Sequence, residues 1–345
     1  MREAIGALAA LGVGLKVITG DNRYAAEHLR KALSLPEAPV LTGHDLLQMS
    51  DEALGHHVEA TQVFAEVDPN QKERIIRALQ RRSHVVGYLG DGINDAPALH
   101  AADVGLSVEG AVDVAKEAAD FVLLSPDLDV LRAGVIQGRT TFANTMKYVM
   151  TTESANLGNM LSMAAASWFL PFLPLLAKQI LLNNFLSDFP AMAMASDTVD
   201  EELIRRPQRW DVAGIRRFMI FFGLISSVFD GLTFFVLLHV ARASEVGFRT
   251  AWFVESLLSE LAVALVIRTR RRAWQSRPGK ALWWSSVVVA AVAIALPYLP
   301  GADRLGFAPM PPALLATVLG VTAAYVVTVE VGKVVFYRWL FVDRP

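Results

Sequence analysis

Two aspartates four residues apart straddle a glycine turn in Gly90-Asp91-Gly92-Ile93-Asn94-Asp95, directly after the apolar run VVGYL. Asp91 and Asp95 so placed can hold a hard, oxygen-seeking cation such as Mg2+ beside a phosphate group. A bare Asp-Gly turn is common turn chemistry and carries no such meaning alone. Two more polar strings follow apolar runs in the same way: Thr19-Gly20-Asp21 after VGLKVI, and Asp68-Pro69-Asn70-Gln71-Lys72 after VFAEV. Helical patterns at 22–35, 70–82 and 93–101 alternate with these runs, and VGLSV and FVLL follow. That order predicts an α/β unit with a parallel, doubly wound sheet. Ligands of such sheets lie beyond the carboxyl ends of the strands, so the three polar strings can converge on one site.

The remainder of the chain has a different solvent. Of 345 residues 53% are hydrophobic and 19% charged, and the mean hydropathy of +0.38 is too apolar for an ordinary soluble protein. Residues 1–126 carry 11 Lys+Arg against 18 Asp+Glu, whereas residues 127–345 carry 21 against 16. An acidic first third argues against a nucleic-acid partner, which needs a positive surface. With no cysteine, disulfides, thiolate metal sites and thiol nucleophiles are excluded. The opening residues are too short in apolar run, and too broken by Gly6, Gly12 and Gly14, to read as a secretory signal.

Six apolar stretches follow, at about 148–170, 173–195, 218–240, 251–267, 281–299 and 313–332. Each is near the ~20 residues that cross ~30 Å of hydrocarbon. Arg205, Arg206, Arg209, Arg216 and Arg217 lie between the second and third, and Arg268, Arg270, Arg271, Arg272, Arg277 and Lys280 between the fourth and fifth. The alternate loops hold only Arg242 and Arg249, then Arg304. By the positive-inside rule the Arg-rich loops are cytoplasmic, so both termini and the acidic unit are expected in the cytoplasm of a multi-pass protein. No proline interrupts 127–170. A continuous helix there would reach about 66 Å, of which the membrane needs about half, leaving 127–147 as a stalk. The alternative is two helices broken near Gly134 or Gly138.

Polar groups within spans are expensive and therefore candidates for an ion path. Asn156 and Asn159 lie three apart on one helical face, and Asn184 and Asp188 four apart on another. Pro190 removes a helical hydrogen bond and can free a carbonyl for a cation. The other reading of the asparagines is that they tie helices together. Asp230, Glu255, Glu260 and Glu330 also fall within spans, either to pair with one another or to line the path.

The string GDGINDAPAL, with TGDN before it and DPNQK between, resembles the P-type cation-transporting ATPases, whose phosphorylation domain has a haloacid dehalogenase-like fold. The likeness continues through GRTTFANTMKYVMTTESANLGNM and LPFLPLL, and with RRPQRWDVAGIRRFM it is greatest to the bacterial magnesium-translocating group. It covers essentially the whole chain. It implies a partial phosphorylation domain at 1–126, a stalk at 127–147 and a transmembrane domain of six spans at 148–345, in a bacterial plasma (inner) membrane.

By the same resemblance, Asp91 and Asp95 bind the catalytic Mg2+, Asn94 supports the phosphate or its water, and Thr19 hydrogen-bonds phosphoryl oxygens. Asp21 shapes that loop and Lys72 neutralises phosphate charge. Asn156, Asn159, Asn184 and Asp188 become ligands of the transported divalent cation, with Asn159 standing where calcium pumps carry glutamate. A site poorer in carboxylates suits an ion that keeps part of its water, as Mg2+ does. ATP is implied as substrate of the complete pump. The DKTGT motif that carries the family's phosphorylated aspartate occurs nowhere in the chain. Nor do the nucleotide-binding domain, the actuator domain or the earlier spans, so the missing amino-terminal part of the pump is an expected partner. A calcium pump, a pump for another cation, and a non-catalytic membrane subunit or remnant are the alternatives.

Overall fold

The computed structural model describes residues 2–33, 35–125 and 127–340, and divides the chain into two compact units, 1–138 and 139–345. The first unit is α/β. Its strands are β1 (Val17–Ile18), β2 (Val40–Thr42), β3 (Val63–Ala65), β4 (Gly87–Leu89), β5 (Val104–Val108) and β6 (Phe121–Leu123). All pairings are parallel, as expected, but they form two three-stranded sheets, ordered β1-β3-β2 and β4-β5-β6, in place of one doubly wound sheet. β1 and β4 each pair on one side only. Ile18 of β1 and Val86, just before β4, pack against the cores of both sheets.

The helices of this unit are α1 (Arg2–Ala10), α2 (Arg23–Ala32), α3 (Gly43–Gln48), α4 (Asp51–His57), α5 (Pro69–Arg81), α6 (Ala96–Ala101) and α7 (Asp113–Ala118). Their starts follow from side-chain chemistry. Asn22 caps α2 by accepting from the Ala25 N–H, and Asp68 and Gln71 form a reciprocal capping box on α5 with Pro69 in its first turn. These caps fix where the segments after β1 and β3 turn, and so where the polar strings lie.

The second unit is helical. α8 (Leu128–Phe169) is a single 42-residue helix that begins before the unit boundary, so Gly134 and Gly138 do not break it. It is followed by α9 (Ala177–Ala193), α10 (Glu201–Arg205), α11 (Val212–Phe235), α12 (Glu245–Ile267), α13 (Lys280–Ala295) and α14 (Pro312–Val335). Among the described residues, four helical segments are long and apolar enough to cross a membrane: Val212–Val240, Glu245–Ile267, Lys280–Tyr298 and Pro312–Trp339. The first two expected spans do not meet that measure. The part of α8 within 148–170 carries Glu153, Asn156 and Asn159, and α9 is only 17 residues long with Lys178, Asp188 and Pro190 inside it.

α12 is the buried centre of the bundle, with Trp252, Phe253, Val254 and Leu257 almost wholly enclosed. α8 meets α11 at Gly158, where an added Cβ would lie 2.7 Å from the Ser226 side chain, and Ser227 donates to the Gly158 carbonyl at 3.1 Å. Close backbone approach through a small residue is a common means of helix association in lipid.

A buried ion cluster joins the helix ends. Asp197, just beyond α9, accepts from Lys147 of α8 at 2.7 Å, from Arg268 at the end of α12 at 3.0 Å, and from the Gly279 N–H before α13 at 2.7 Å. Burial alone would raise its carboxyl; the Gly279 N–H, Lys147 and Arg268 outweigh that and hold it below the usual carboxylate range. With a folded pKa lower than the unfolded one, its stabilisation is present above the ordinary aspartate range and is lost as pH falls through the depressed value. Asp197→Ala leaves two buried cations without their anion and is expected to cost about 3–5 kcal/mol, read as a large fall in the thermal unfolding midpoint in detergent.

Candidate functional site

In the α/β unit, the loop after β4 is organised around Asp95. One carboxylate oxygen accepts from Lys72 Nζ at 2.8 Å and from the Tyr88 hydroxyl at 2.7 Å. The other accepts from the backbone N–H groups of Asp91 at 3.2 Å and Gly92 at 3.0 Å. Burial would raise this carboxyl, but Lys72, Tyr88 and the Gly92 N–H hold it below the usual range. The Tyr88 phenol is pushed up, first by burial and then by Asp95.

Asp95 is therefore buried and fully occupied by donors, whereas Asp91 and Asn94, in the same turn, are exposed to solvent. Asp91 offers an open carboxylate, and Asp95 in this arrangement shapes the turn and holds Lys72. Among the described residues no three acidic or histidine side chains gather closely enough to hold a metal by themselves. A Mg2+ at Asp91 would draw its remaining oxygens from phosphate, water or another segment, which suits an ion that retains water and binds through few carboxylates.

Gly90 has room for nothing larger: an added Cβ would lie 2.5 Å from the Asp95 Cβ. Gly90→Ala is expected to displace Asp95, loosen its hold on Lys72 and cost about 1–3 kcal/mol of stability, read as a fall in the thermal unfolding midpoint. Thr19 and Asp21 lie in their own turn beyond β1, where the Thr19 hydroxyl donates to the Asp21 carboxylate at 3.0 Å and accepts from the Asp21 N–H at 3.1 Å. That turn is braced on the end of β3 by the Glu66 N–H bonded to the Asp21 carbonyl and the Val67 N–H to the Thr19 carbonyl.

In the helical unit, the four expected ligands are not gathered in one cavity. Asn159 lines a cavity with Thr151, Ser154, Ser226, Ser259, Glu260 and Tyr325, drawn from α8, α11, α12 and α14. Asn156, Asn184 and Asp188 are exposed on the faces of α8 and α9. Glu260 links the two sets, because it lines the cavity and lies near Ser187 and within electrostatic reach of Asp188. Its sequence signal was an acid within an apolar span; its alignment with Asp188 is visible only once α9 packs on α12. Of the other acids, Glu330 pairs with Lys333 at 2.9 Å, and Asp230 accepts from Ser162 and Trp252.

Comparison with known proteins fits both units. A family model described as haloacid dehalogenase-like hydrolase matches residues 1–103, and one described as the C-terminus of cation-transporting ATPases matches residues 172–335. Along 340 residues, 97% of this chain, the sequence is 44% identical to the magnesium-transporting ATPase, P-type 1 of Escherichia coli K12. The chain belongs to the P-type cation-transporting ATPases. The protein of the same name from Salmonella typhimurium LT2 is 43% identical over the same share, and a calcium-transporting ATPase of Bacillus subtilis is 30% identical over 86% of the chain. The chain spans 38%, 38% and 34% of the lengths of these relatives. Apolar helices and this membership together make it a membrane protein.

Proposed function

We propose that this chain is the carboxyl-terminal part of an ATP-driven pump for a divalent cation, with Mg2+ as the transported ion and import as the direction. The observation that carries the reading is the presence of both working ends in one chain. A loop with an open carboxylate and a positioned lysine lies at the ends of parallel strands, polar and acidic groups lie within apolar helices, and the unbroken α8 runs between them in sequence. The ion is assigned from the magnesium-transporting relatives and from Asn159, where a glutamate would favour a more fully dehydrated ion.

In this reading Asp91 holds the catalytic Mg2+, which when bound neutralises phosphate charge and polarises the phosphoryl group. Lys72, kept in place by Asp95, stabilises charge on the phosphoryl oxygens, and Thr19 donates to them as Asp21 fixes its turn. Asn94 orients the phosphate or its water. The phosphorylated aspartate comes from the remainder of the pump, on a strand that pairs with the free sides of β1 and β4.

The bundle crosses the inner membrane six times, with the latter part of α8 and α9 as the first two crossings and both termini cytoplasmic. Residues 127–147 form the stalk. Asp188, Asn184 and Asn156 are exposed at membrane depth, where a charged group facing lipid costs roughly 2.5–3.5 kcal/mol or more. Other spans of the pump cover them and complete the cation site with Asn159 and Glu260. The test is ATP-driven movement of Mg2+, Ca2+ and Na+ across sealed vesicles containing this chain with the rest of its pump. Flux selective for Mg2+ is expected; selective Ca2+ flux would replace the ion, and no ATP-driven flux of any would overturn the pump reading.

A further inference from the structure

Two buried carboxyls in the bundle, those of Asp230 and Glu255, do not line the Asn159 cavity. Asp230 of α11 accepts from the Ser162 hydroxyl of α8 at 2.6 Å and from the Trp252 indole N–H of α12 at 2.8 Å, one donor on each oxygen. Glu255 lies three residues beyond Trp252, on the same face of α12. It is within electrostatic reach of Asp230, and its residue is 1% exposed. One of its carboxyl oxygens, Oε2, is buried without any hydrogen-bond partner. The titratable groups facing the pair are Tyr325 of α14 and Glu260 on the next turns of α12, with Asp188 of α9 beyond Glu260. None is basic, and neither carboxyl has a cationic partner among the described residues.

Two negative charges left unpaired in hydrocarbon would cost far more than the fold could bear. Something must neutralise one of them. A metal ion fits poorly, because both oxygens of Asp230 are turned to donors and an indole N–H cannot ligate a cation. A proton fits. The two donors stabilise one anion, at Asp230, while an oxygen without a partner is tolerable as the carbonyl of a neutral acid but not as half of a carboxylate. We propose that Glu255 is a proton-binding site of this protein, occupied at neutral pH and held beside the fixed anion of Asp230, with neither carboxyl in the lining of the cavity at Asn159 and Glu260. The proton is taken from water without any other bond forming or breaking, Glu255–COO− plus H+ giving Glu255–COOH, and the pair carries a net charge of −1. This assignment stands on the bundle alone and does not depend on which cation is moved.

The test is infrared spectroscopy of the complete protein in lipid nanodiscs at neutral pH, reading the carbonyl stretch of un-ionised carboxylic acids. A band is expected that is lost in Glu255→Gln and retained in Asp230→Asn, with Glu260→Gln marking any contribution of the cavity glutamate. Glu255→Asp should keep a shifted band. Labelling the unaltered protein with 13C-glutamate should move the band and 13C-aspartate should not, which assigns the acid to glutamate even where a variant fails to fold, and the Glu260→Gln variant then separates Glu255 from the cavity glutamate. Absence of any such band from Glu255, or a band that moves only with labelled aspartate, would overturn the proposal.

Discussion

Asp91→Asn is expected to reduce phosphoenzyme formation from ATP by at least ~10²-fold, because charge held in advance at the phosphoryl group supplies much of the rate enhancement in such catalysis. The substitution is nearly isosteric and removes one charge from an exposed side chain. Its backbone roles persist, since the Asp91 N–H still donates to Asp95 and the Asp91 carbonyl still accepts from the Val112 N–H. The turn therefore survives and the loss reports ligand charge alone. Initial rates of acid-stable labelling, with thermal unfolding as the control for folding, make the measurement. Labelling near the unaltered rate would remove Asp91 from the site.

The second large effect is placed in the membrane. Asp188→Asn is expected to raise the cation concentration needed for half-maximal ATP hydrolysis at least ~10-fold, because affinity for a hard cation is set largely by ligand charge. Asp188 is exposed on α9 and forms no ion pair among the described residues, so its loss leaves the described bundle intact. Glu260→Gln should act in the same direction, since Glu260 lines the cavity of Asn159 and lies in the field of Asp188. The ATP concentration for half-maximal rate should stay unchanged in both variants. An unaltered cation requirement in Asp188→Asn would exclude it as a ligand.

The chemistry was most legible where it was local. Asn22, Asp68, Pro69 and Gln71 are short-range helix signals, and α2 and α5 begin where those residues dictate. The 93–101 pattern resolved into a single 3-10 turn, Ile93–Asp95, followed by α6, because the Gly92 turn and the Asp95 hydrogen bonds set the first residues tighter than an α-helix. β2, α3 and α4 had no clear signal: VLT is three residues long, and α3 and α4 have six and seven, too few to show a period. What escaped sequence reading was long-range. The different environments of Asp91 and Asp95 depend on Tyr88 pointing inward from β4 and on Lys72 reaching across from α5, 23 residues away in sequence. The Asp197 cluster joins residues 50 and 71 positions apart. Composition revealed the two solvents of the chain, but could not show that β1 and β4 would each keep a free side, which follows from hydrogen bonding between strands.

In the proposed pump, the loop around Asp91 and Asp95 serves a phosphorylated aspartate supplied by the remainder of the protein. Native membranes carrying a carboxyl-terminally tagged form of this protein, incubated with ATP labelled on the γ-phosphate, test it most directly. An acid-stable, hydroxylamine-sensitive label is expected on a polypeptide that contains this chain or co-purifies with it, and is expected to be lost in Asp91→Asn. Absence of such a label from every species that retains the tag would contradict it.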